Sequence, residues 1–366
     1  MRRLSYNKVL MIKKLYKIFL AVLLLFSSLS MTGILFIFQT FFGRFEKNYN
    51  TGYLAYEDVE ELYERSVIEF PSGKNQLKGY IYGEANNKGL VVIAHGLGGG
   101  AESYLAETLY FVDRGWRVFS FDCTGSFGSE GIGIGGLSQS LIDLKAALNY
   151  IENNSSMKRL PLMLYGHSMG GYAVTSILNY ENYDIEAVVS VAGFNSPLQA
   201  MVERSSQYIG FFAYLEYPYL WIYDALTYGS TASVQAINGI NRSDTPVMII
   251  HGEKDKSVTY DGSGIIAHRD LITNPNVVYK TCSTPYRNDH KNLCITESAY
   301  RYRKEIKDGY KKLSIRYHHN VPRKIKVNYY GAIDAMKASE LDSEFMSSIN
   351  QFYENTLLNR YVQNDN

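Results

Sequence analysis

The sequence predicts an α/β domain, a mostly parallel sheet with helices on both faces, tethered by one N-terminal membrane helix. Three observations lead there. Short apolar runs (Leu90–Ala94, Arg117–Phe121, Pro161–Tyr165, Ile185–Val191 and Val247–His251) alternate with helical stretches, the pattern of parallel strands buried on both faces. A run of 25 residues without a charge, Ile18–Phe42, precedes them. A glycine-flanked serine, Gly166-His-Ser168-Met-Gly170, stands directly between one of the strands and a helical stretch.

Composition sets the outer bounds. With 366 residues, 46% hydrophobic and 20% charged, and only 8 prolines, the chain is neither disordered nor collagen-like. It is long enough for two domains or one large domain with additions. Three cysteines are too few for a disulfide scaffold. The net charge of +1 is unevenly spread: residues 1–43 carry six Lys/Arg and no acid, and residues 295–327 carry ten Lys/Arg against three acids. The remainder is therefore acidic, which excludes a globally basic nucleic-acid binder.

The elements follow in chain order. Residues 1–17 form a basic segment and 18–42 a transmembrane anchor. As a helix, 25 residues span roughly 37 Å, enough to cross a hydrocarbon core of roughly 30 Å with some tilt. Arg2, Arg3, Lys8, Lys13, Lys14 and Lys17 precede the run, and only Arg44 and Lys47 follow it closely. The positive-inside rule then places the N-terminus in the cytoplasm and everything after Phe42 outside, a single-pass membrane protein. The rival is a signal peptide cleaved near Ser30, but the apolar run continues twelve residues further, longer than a signal h-region.

Residues 43–65 read as a juxtamembrane spacer, in which Tyr56–Arg65 is either a short amphipathic helix or plain spacer, and 66–366 as the main domain. Two β-rich stretches, Ser66–Phe70 and Leu77–Gly83, flank a turn at Pro71-Ser-Gly73. Helices are expected over Ala101–Asp113, Leu137–Ile151 and Met169–Leu178, and a last strand over Asn276–Lys280. Two segments break the alternation. Residues 195–243 contain no core strand and hold nine aromatic residues between Tyr208 and Tyr228, which reads as a cap for an apolar substrate. Residues 295–338 form a basic insertion, and an amphipathic helix near Leu341–Leu358 closes the chain.

The chemistry centres on Ser168. In strand–turn–helix context G-x-S-x-G is a nucleophile elbow, which lifts the serine hydroxyl to the carboxyl edge of the sheet at a helix N-terminus. Acyl transfer needs donors for the developing oxyanion. The Met169 amide, just after the serine, is one, and the Leu97 amide, in the glycine-rich loop His95-Gly-Leu-Gly-Gly-Gly100, is the other. A carboxylate that orients the base is expected after strand Val247–Ile250, where Asp255 is the first candidate and Glu253 the second. The order Ser…Asp…His requires a later histidine. His268, His290, His318 and His319 qualify by position; His290, in the loop after the last strand, is the candidate that reaches Ser168. Cys282 and Cys294 bracket that histidine and would close its loop by a disulfide in an oxidising compartment.

These residues resemble the α/β-hydrolase fold superfamily, nearest its monoglyceride-lipase-like and serine-aminopeptidase-like branch. The matching positions are His95-Gly96, the turn through Asp122, Gly125, Gly128, Ser129 and Gly131, the Gly166–Gly170 elbow, and His251-Gly-x-x-Asp255-x-x-Val258. The likeness covers residues 66–294 and resumes in the final helix. It implies an eight-stranded, mostly parallel sheet with a cap after the sixth strand, and hydrolysis of an ester, thioester or amide through an acyl-enzyme, with no metal or cofactor. The anchor and the 295–338 insertion depart from the pattern. The expected function is a membrane-anchored carboxylesterase or lipase acting on small or lipid esters. The rivals are a serine-aminopeptidase-like peptidase and a catalytically silent, membrane-tethered binding module.

Overall fold

The computed structural model describes residues 6–48 and 52–364; Arg2 and Arg3 of the basic segment lie outside the described residues. The eight strands form one sheet in the order β1-β2-β4-β3-β5-β6-β7-β8: β1 Arg65–Ser72, β2 Asn75–Tyr82, β3 Leu90–Ala94, β4 Arg117–Phe121, β5 Leu162–His167, β6 Ile185–Val191, β7 Val247–Gly252 and β8 Val277–Cys282. Strand β2 runs antiparallel to β1 and β4, and every other pairing is parallel. Strands β3 and β7 are buried at every residue, as continuous apolar runs require. The edge strand β1 instead alternates along most of its length between covered and open positions.

The pleat sorts each central strand onto two cores. Leu90, Val92 and Ala94 join one apolar cluster while Val91 and Ile93 join the other. Helices α3 (Gln139–Glu152), α4 (Met169–Ser176) and α8 (Ala236–Arg242) cover the first face. Helices α2 (Leu105–Val112) and α12 (Ser343–Asn364) cover the second. The Tyr353 hydroxyl of α12 donates to the Leu164 carbonyl at 2.8 Å and Trp116 Nε1 donates to Asn350 Oδ1 at 2.8 Å, so the last helix is pinned to the sheet by buried polar contacts as well as by packing.

The excursion after β6 contains α5 (Pro197–Ile209), α6 (Phe212–Leu215) and α7 (Tyr217–Tyr228). Its final helix, α8, packs on α4 and belongs to the covering layer, so the part that projects is shorter than 195–243. The basic insertion is a helical excursion, α9 (Glu297–Arg316), α10 (Arg323–Gly331) and α11 (Ala335–Ala338). Its two ends are stapled by a bridge between Ile295 and Leu341, with Thr296 N–H donating to Glu340 O and Asp342 N–H to Cys294 O. The chain thus leaves and returns at one point, and the loop before Cys294 keeps its place.

Of the two readings of Tyr56–Arg65, the structure has a spacer with a single turn of 3₁₀ helix, Tyr56–Asp58, because Arg65 is already paired with Tyr82 in β1. Two expectations need correction. The helix expected from Ala101 begins as a 3₁₀ turn, Ala101–Tyr104, and becomes α-helical only at Leu105. Cys282 and Cys294 are both free and buried rather than bridged; Cys294 Sγ instead meets the Tyr165 hydroxyl at 3.4 Å.

Helix α1, Tyr6–Phe41, contains a stretch long and apolar enough to cross a membrane. Its last turns pack on the domain, where Ile34, Phe38 and Phe42 are buried. The segment after it is stitched to the turn that follows β4. Gly43 bridges Gly133, Phe45 bridges Ser126, and the Arg44 guanidinium donates to the carbonyls of Ser129, Gly131 and Phe127.

Candidate active site

Ser168 sits between β5 and α4 with φ 55° and ψ −113°, a left-handed conformation rarely adopted by a non-glycine residue. Its neighbours explain how so tight a turn closes. A Cβ on Gly166 would stand 2.3 Å from the Gly170 carbonyl oxygen, and one on Gly170 would stand 2.0 Å from the Ala94 carbonyl oxygen. Only glycine allows the helix to cross the strands this closely. The Ser168 amide donates to the Val191 carbonyl at 2.8 Å and its carbonyl accepts from Tyr172 at 3.0 Å, holding the turn from both sides.

The structure brings three of the predicted side chains into one hydrogen-bonded row. Ser168 Oγ lies 2.9 Å from His290 Nε2, and His290 Nδ1 lies 2.6 Å from Asp255 Oδ2. Asp255 is fixed by its own loop, since its Oδ1 accepts from the Ser257 amide at 2.7 Å and the Val258 amide at 3.0 Å. Burial pushes the Asp255 carboxyl up, but hydrogen bonds from His251 and His290, the His290 charge and the Val258 amide outweigh it. The group is held well below the usual carboxylate range. Because Asp255 remains an acceptor, His290 Nδ1 carries the hydrogen and Nε2 faces Ser168 as the acceptor.

The other candidates lie elsewhere. Glu253 is exposed, with its amide bonded to the Cys282 carbonyl. His268 belongs to a 3₁₀ segment, Ile265–Leu271, and His318 and His319 follow α9 with left-handed backbones. Met169 opens α4, so its amide has no acceptor within that helix. Leu97 follows Gly96 in the loop after β3, and this loop lies on the elbow: a Cβ on Gly96 would meet His167 Nδ1 at 3.1 Å. Among the described residues no group of three or more His, Cys, Asp or Glu side chains is arranged to hold a metal ion.

Several positioning groups were not anticipated from the sequence. His95 Nε2 accepts from the Cys123 amide at 2.9 Å, so Nδ1 carries the proton and donates to the Gly96 carbonyl at 2.8 Å. Asp122 accepts from the Ala101 and Gly128 amides and from the Tyr80 hydroxyl. Together they tie the Leu97 loop to the turn after β4. His167, next to the serine, joins the Tyr104 hydroxyl at 2.7 Å to the His290 carbonyl at 2.7 Å. Burial, and then the charge of nearby His290, push the His167 imidazole down to about 3. A histidine beside the elbow serine was visible in the sequence as a motif letter, but its partners lie 63 and 123 residues away.

Comparison with known proteins points the same way. A family model described as serine aminopeptidase, S33, matches residues 85–231. No curated protein matches the chain in sequence. Among solved structures, an esterase of Pyrococcus furiosus, Pf2001, is 19% identical with a TM-score of 0.51, covering 75% of this chain and 97% of its own. An alpha-beta hydrolase from Vibrio vulnificus is 16% identical with a TM-score of 0.53, covering 76% and 92%. With the strand order above, these likenesses show that the chain has the α/β-hydrolase fold.

Proposed function

We propose that this α/β-hydrolase-fold chain is a membrane-anchored serine hydrolase that cleaves carboxylic esters, small or lipid, through an acyl-enzyme on Ser168. The observation that carries the proposal is the row Ser168–His290–Asp255, with hydrogen bonds of 2.9 and 2.6 Å and the serine on a strained turn.

The chemistry follows from that geometry. Ser168 Oγ attacks the ester carbonyl carbon as its proton passes to His290 Nε2. The carbonyl oxygen takes the negative charge and is stabilised by the Met169 and Leu97 amides. Asp255, fixed by two amides, orients the imidazole and stabilises its cationic form. The C–O bond to the leaving alcohol then breaks, and the His290 proton goes to that oxygen. Water repeats the sequence, losing its proton to His290, and the acid is released with Ser168 restored. In this reading α1 crosses the bilayer with residues 1–17 in the cytoplasm, and the domain from residue 66 onward lies outside.

A second reading, a peptidase, has one observation in its favour: the matching family model is described as a serine aminopeptidase. Such an enzyme needs an acid to receive the substrate amine. Glu203 of α5 is already committed to the Thr259 and Ser263 amides.

The test is active-site labelling of the full-length protein in detergent with a fluorophosphonate, located by mass spectrometry. The proposal expects one adduct, on Ser168, and none in Ser168→Ala. Turnover of esters but not of aminoacyl amides then selects the esterase. An unlabelled, folded protein would mean a silent fold that serves as a tethered binding module.

A further inference from the structure

We infer that the aromatic edge of the cap, from Tyr208 to Leu226, is seated in the bilayer leaflet on the side of the catalytic domain, as a second membrane attachment beside α1. The inference rests on the reading that α1 crosses the membrane, and it goes beyond it.

Depth along α1 carries the first step. The last charge before the apolar run is Lys17, and Ser27 lies ten residues further on. At 1.5 Å per residue this is roughly 15 Å, half of a hydrocarbon core of roughly 30 Å. Yet α1 already touches the cap there. Ser27 Oγ lies 2.8 Å from the Tyr219 hydroxyl, and the Phe26 and Tyr219 rings meet edge to face at 6.0 Å. The contact continues toward the domain, where Ser30 Oγ donates to Glu216 Oε1 at 3.0 Å and the Phe38 and Tyr223 ring centroids are 3.9 Å apart. An α1 that starts its crossing at Lys17 therefore carries α7 alongside it through about one leaflet.

Chemistry carries the second step. From Ser205 to Asn241 the chain has only two charged residues, Glu216 and Asp224, and no Lys or Arg. Both acids turn inward: Glu216 accepts from Ser30, and Asp224 is 1% exposed and accepts from Ser138 Oγ. What faces outward is apolar or aromatic, with Phe211 72% exposed, Phe212 68%, Trp221 52% and Leu226 83%. Water would leave this area uncovered, whereas lipid covers it, with Glu216 held against Ser30 of α1 and Asp224 against Ser138 as the segment's only charged side chains. The serine pairings of α1 with α7 are also of the kind that joins helices inside a bilayer, where small polar side chains bond across the contact. The same edge adjoins the site, because Arg204 and Gln207 of α5 donate to the Lys256 carbonyl, beside Asp255.

The two tryptophans provide the test, since Trp116 is fully buried and Trp221 stands on the proposed face. The full-length protein is reconstituted into phosphatidylcholine vesicles with brominated or plain acyl chains, and insertion of α1 is scored separately by resistance to alkaline carbonate extraction. The expected result is loss of Trp221 emission in brominated vesicles and no such loss in Trp221→Phe, which reports Trp116 alone. Carbonate resistance with equal emission in both vesicles and quenching by aqueous acrylamide would overturn the inference while leaving the anchor intact. Equal emission with no acrylamide quenching would assign the face to a second copy of the chain, and also overturn it. Release by carbonate would remove the anchor reading and this inference with it.

Discussion

His167 Nε2 lies 2.7 Å from the backbone carbonyl of His290. A carbonyl only accepts, so Nε2 carries the proton and Nδ1 must accept from the Tyr104 hydroxyl at 2.7 Å. The Tyr104 oxygen in turn accepts from the Gly96 amide at 3.1 Å. Every donor and acceptor in this chain has one permitted role. It joins the loop that presents Leu97, the elbow that presents Ser168, and the loop that presents His290.

The chain makes His167 a positioning residue with a kinetic signature. His167→Ala removes the support of the His290 loop and the ring that packs on the His290 imidazole at 4.9 Å, while leaving the Ser168–His290–Asp255 side chains themselves in place. A displacement of about 1 Å at such a site costs on the order of 100-fold in rate. Steady-state hydrolysis of a soluble ester should show that loss mainly in kcat, with the rate of fluorophosphonate labelling at Ser168 falling in parallel. Tyr104→Phe should give a smaller loss in the same direction. Equal labelling rates in variant and parent would show that the loop holds itself.

The same residue predicts a pH dependence of stability. The folded imidazole titrates at about 3, against 6.5 for an ordinary histidine. Between those values the unfolded chain binds a proton that the folded chain does not, so stability is lost as pH falls from 6.5 toward 3. The slope from this group is at most about 1.4 kcal/mol per pH unit. The lowered Asp255 acts in the same direction, but only below its ordinary value of 3.8. Burial also pushes His95 and His268 down and Asp224 up to about 6, so the His167 contribution is read from the parent and a His167 variant unfolded side by side in detergent at pH 7 and pH 4.5. The stability advantage of the parent over His167→Gln should shrink at pH 4.5; an advantage that stays constant would place a solvated or already charged imidazole there.

How much was legible in the sequence follows from how local each signal is. The elbow was, because five consecutive residues build it and the glycines have a steric reason. The central strands were, because burial on both faces leaves an unbroken apolar run. Asp255 was singled out by its place after a strand, and His290 by chain order together with its place in the loop after the last strand. The supports were not legible. His95 with Cys123, Asp122 with Ala101 and His167 with Tyr104 pair residues distant in sequence, and a histidine next to a serine says nothing of what it bonds. The attachment of Arg44 and Phe45 to the turn after β4 was missed for the same reason, since backbone pairing of a short, polar stretch has no periodic signature.

Asp255 offers a direct test of the proposed mechanism. Asp255→Asn keeps the shape but replaces an acceptor facing His290 Nδ1 with an amide that can donate, which favours the wrong imidazole tautomer. By analogy with this exchange in serine proteases the loss in kcat is about 10⁴-fold, with binding little affected. Ester kinetics on the folded variant, checked by circular dichroism, would measure it. Turnover within a few-fold of the parent would show that Asp255 is a loop-capping residue and not part of the chemistry.

The segment joining α1 to the domain is expected to act on catalysis as well as on stability. The Phe45 ring covers Gly98 of the Leu97 loop, 3.4 Å from where a Cβ would stand. Phe45 N–H also donates to the Gly125 carbonyl at 2.9 Å, and its carbonyl accepts from Phe127 at 2.8 Å. Arg44 adds its bonds to three carbonyls of the same turn. Arg44→Ala should therefore cost about 1–3 kcal/mol, the usual loss when charged hydrogen bonds are removed, read as a lower melting temperature. Phe45→Ala keeps the backbone bonds and frees the Leu97 loop. Its expected effect is a fall in kcat of about tenfold, a fraction of the 10²–10³ that follows removal of an oxyanion donor. Phe45→Leu, which refills the contact, should recover most of it. A Phe45→Ala protein with unchanged kcat and a lowered melting temperature would reduce the segment to a structural tie, whereas loss of kcat with Leu rescue would make the segment after α1 part of the active-site wall.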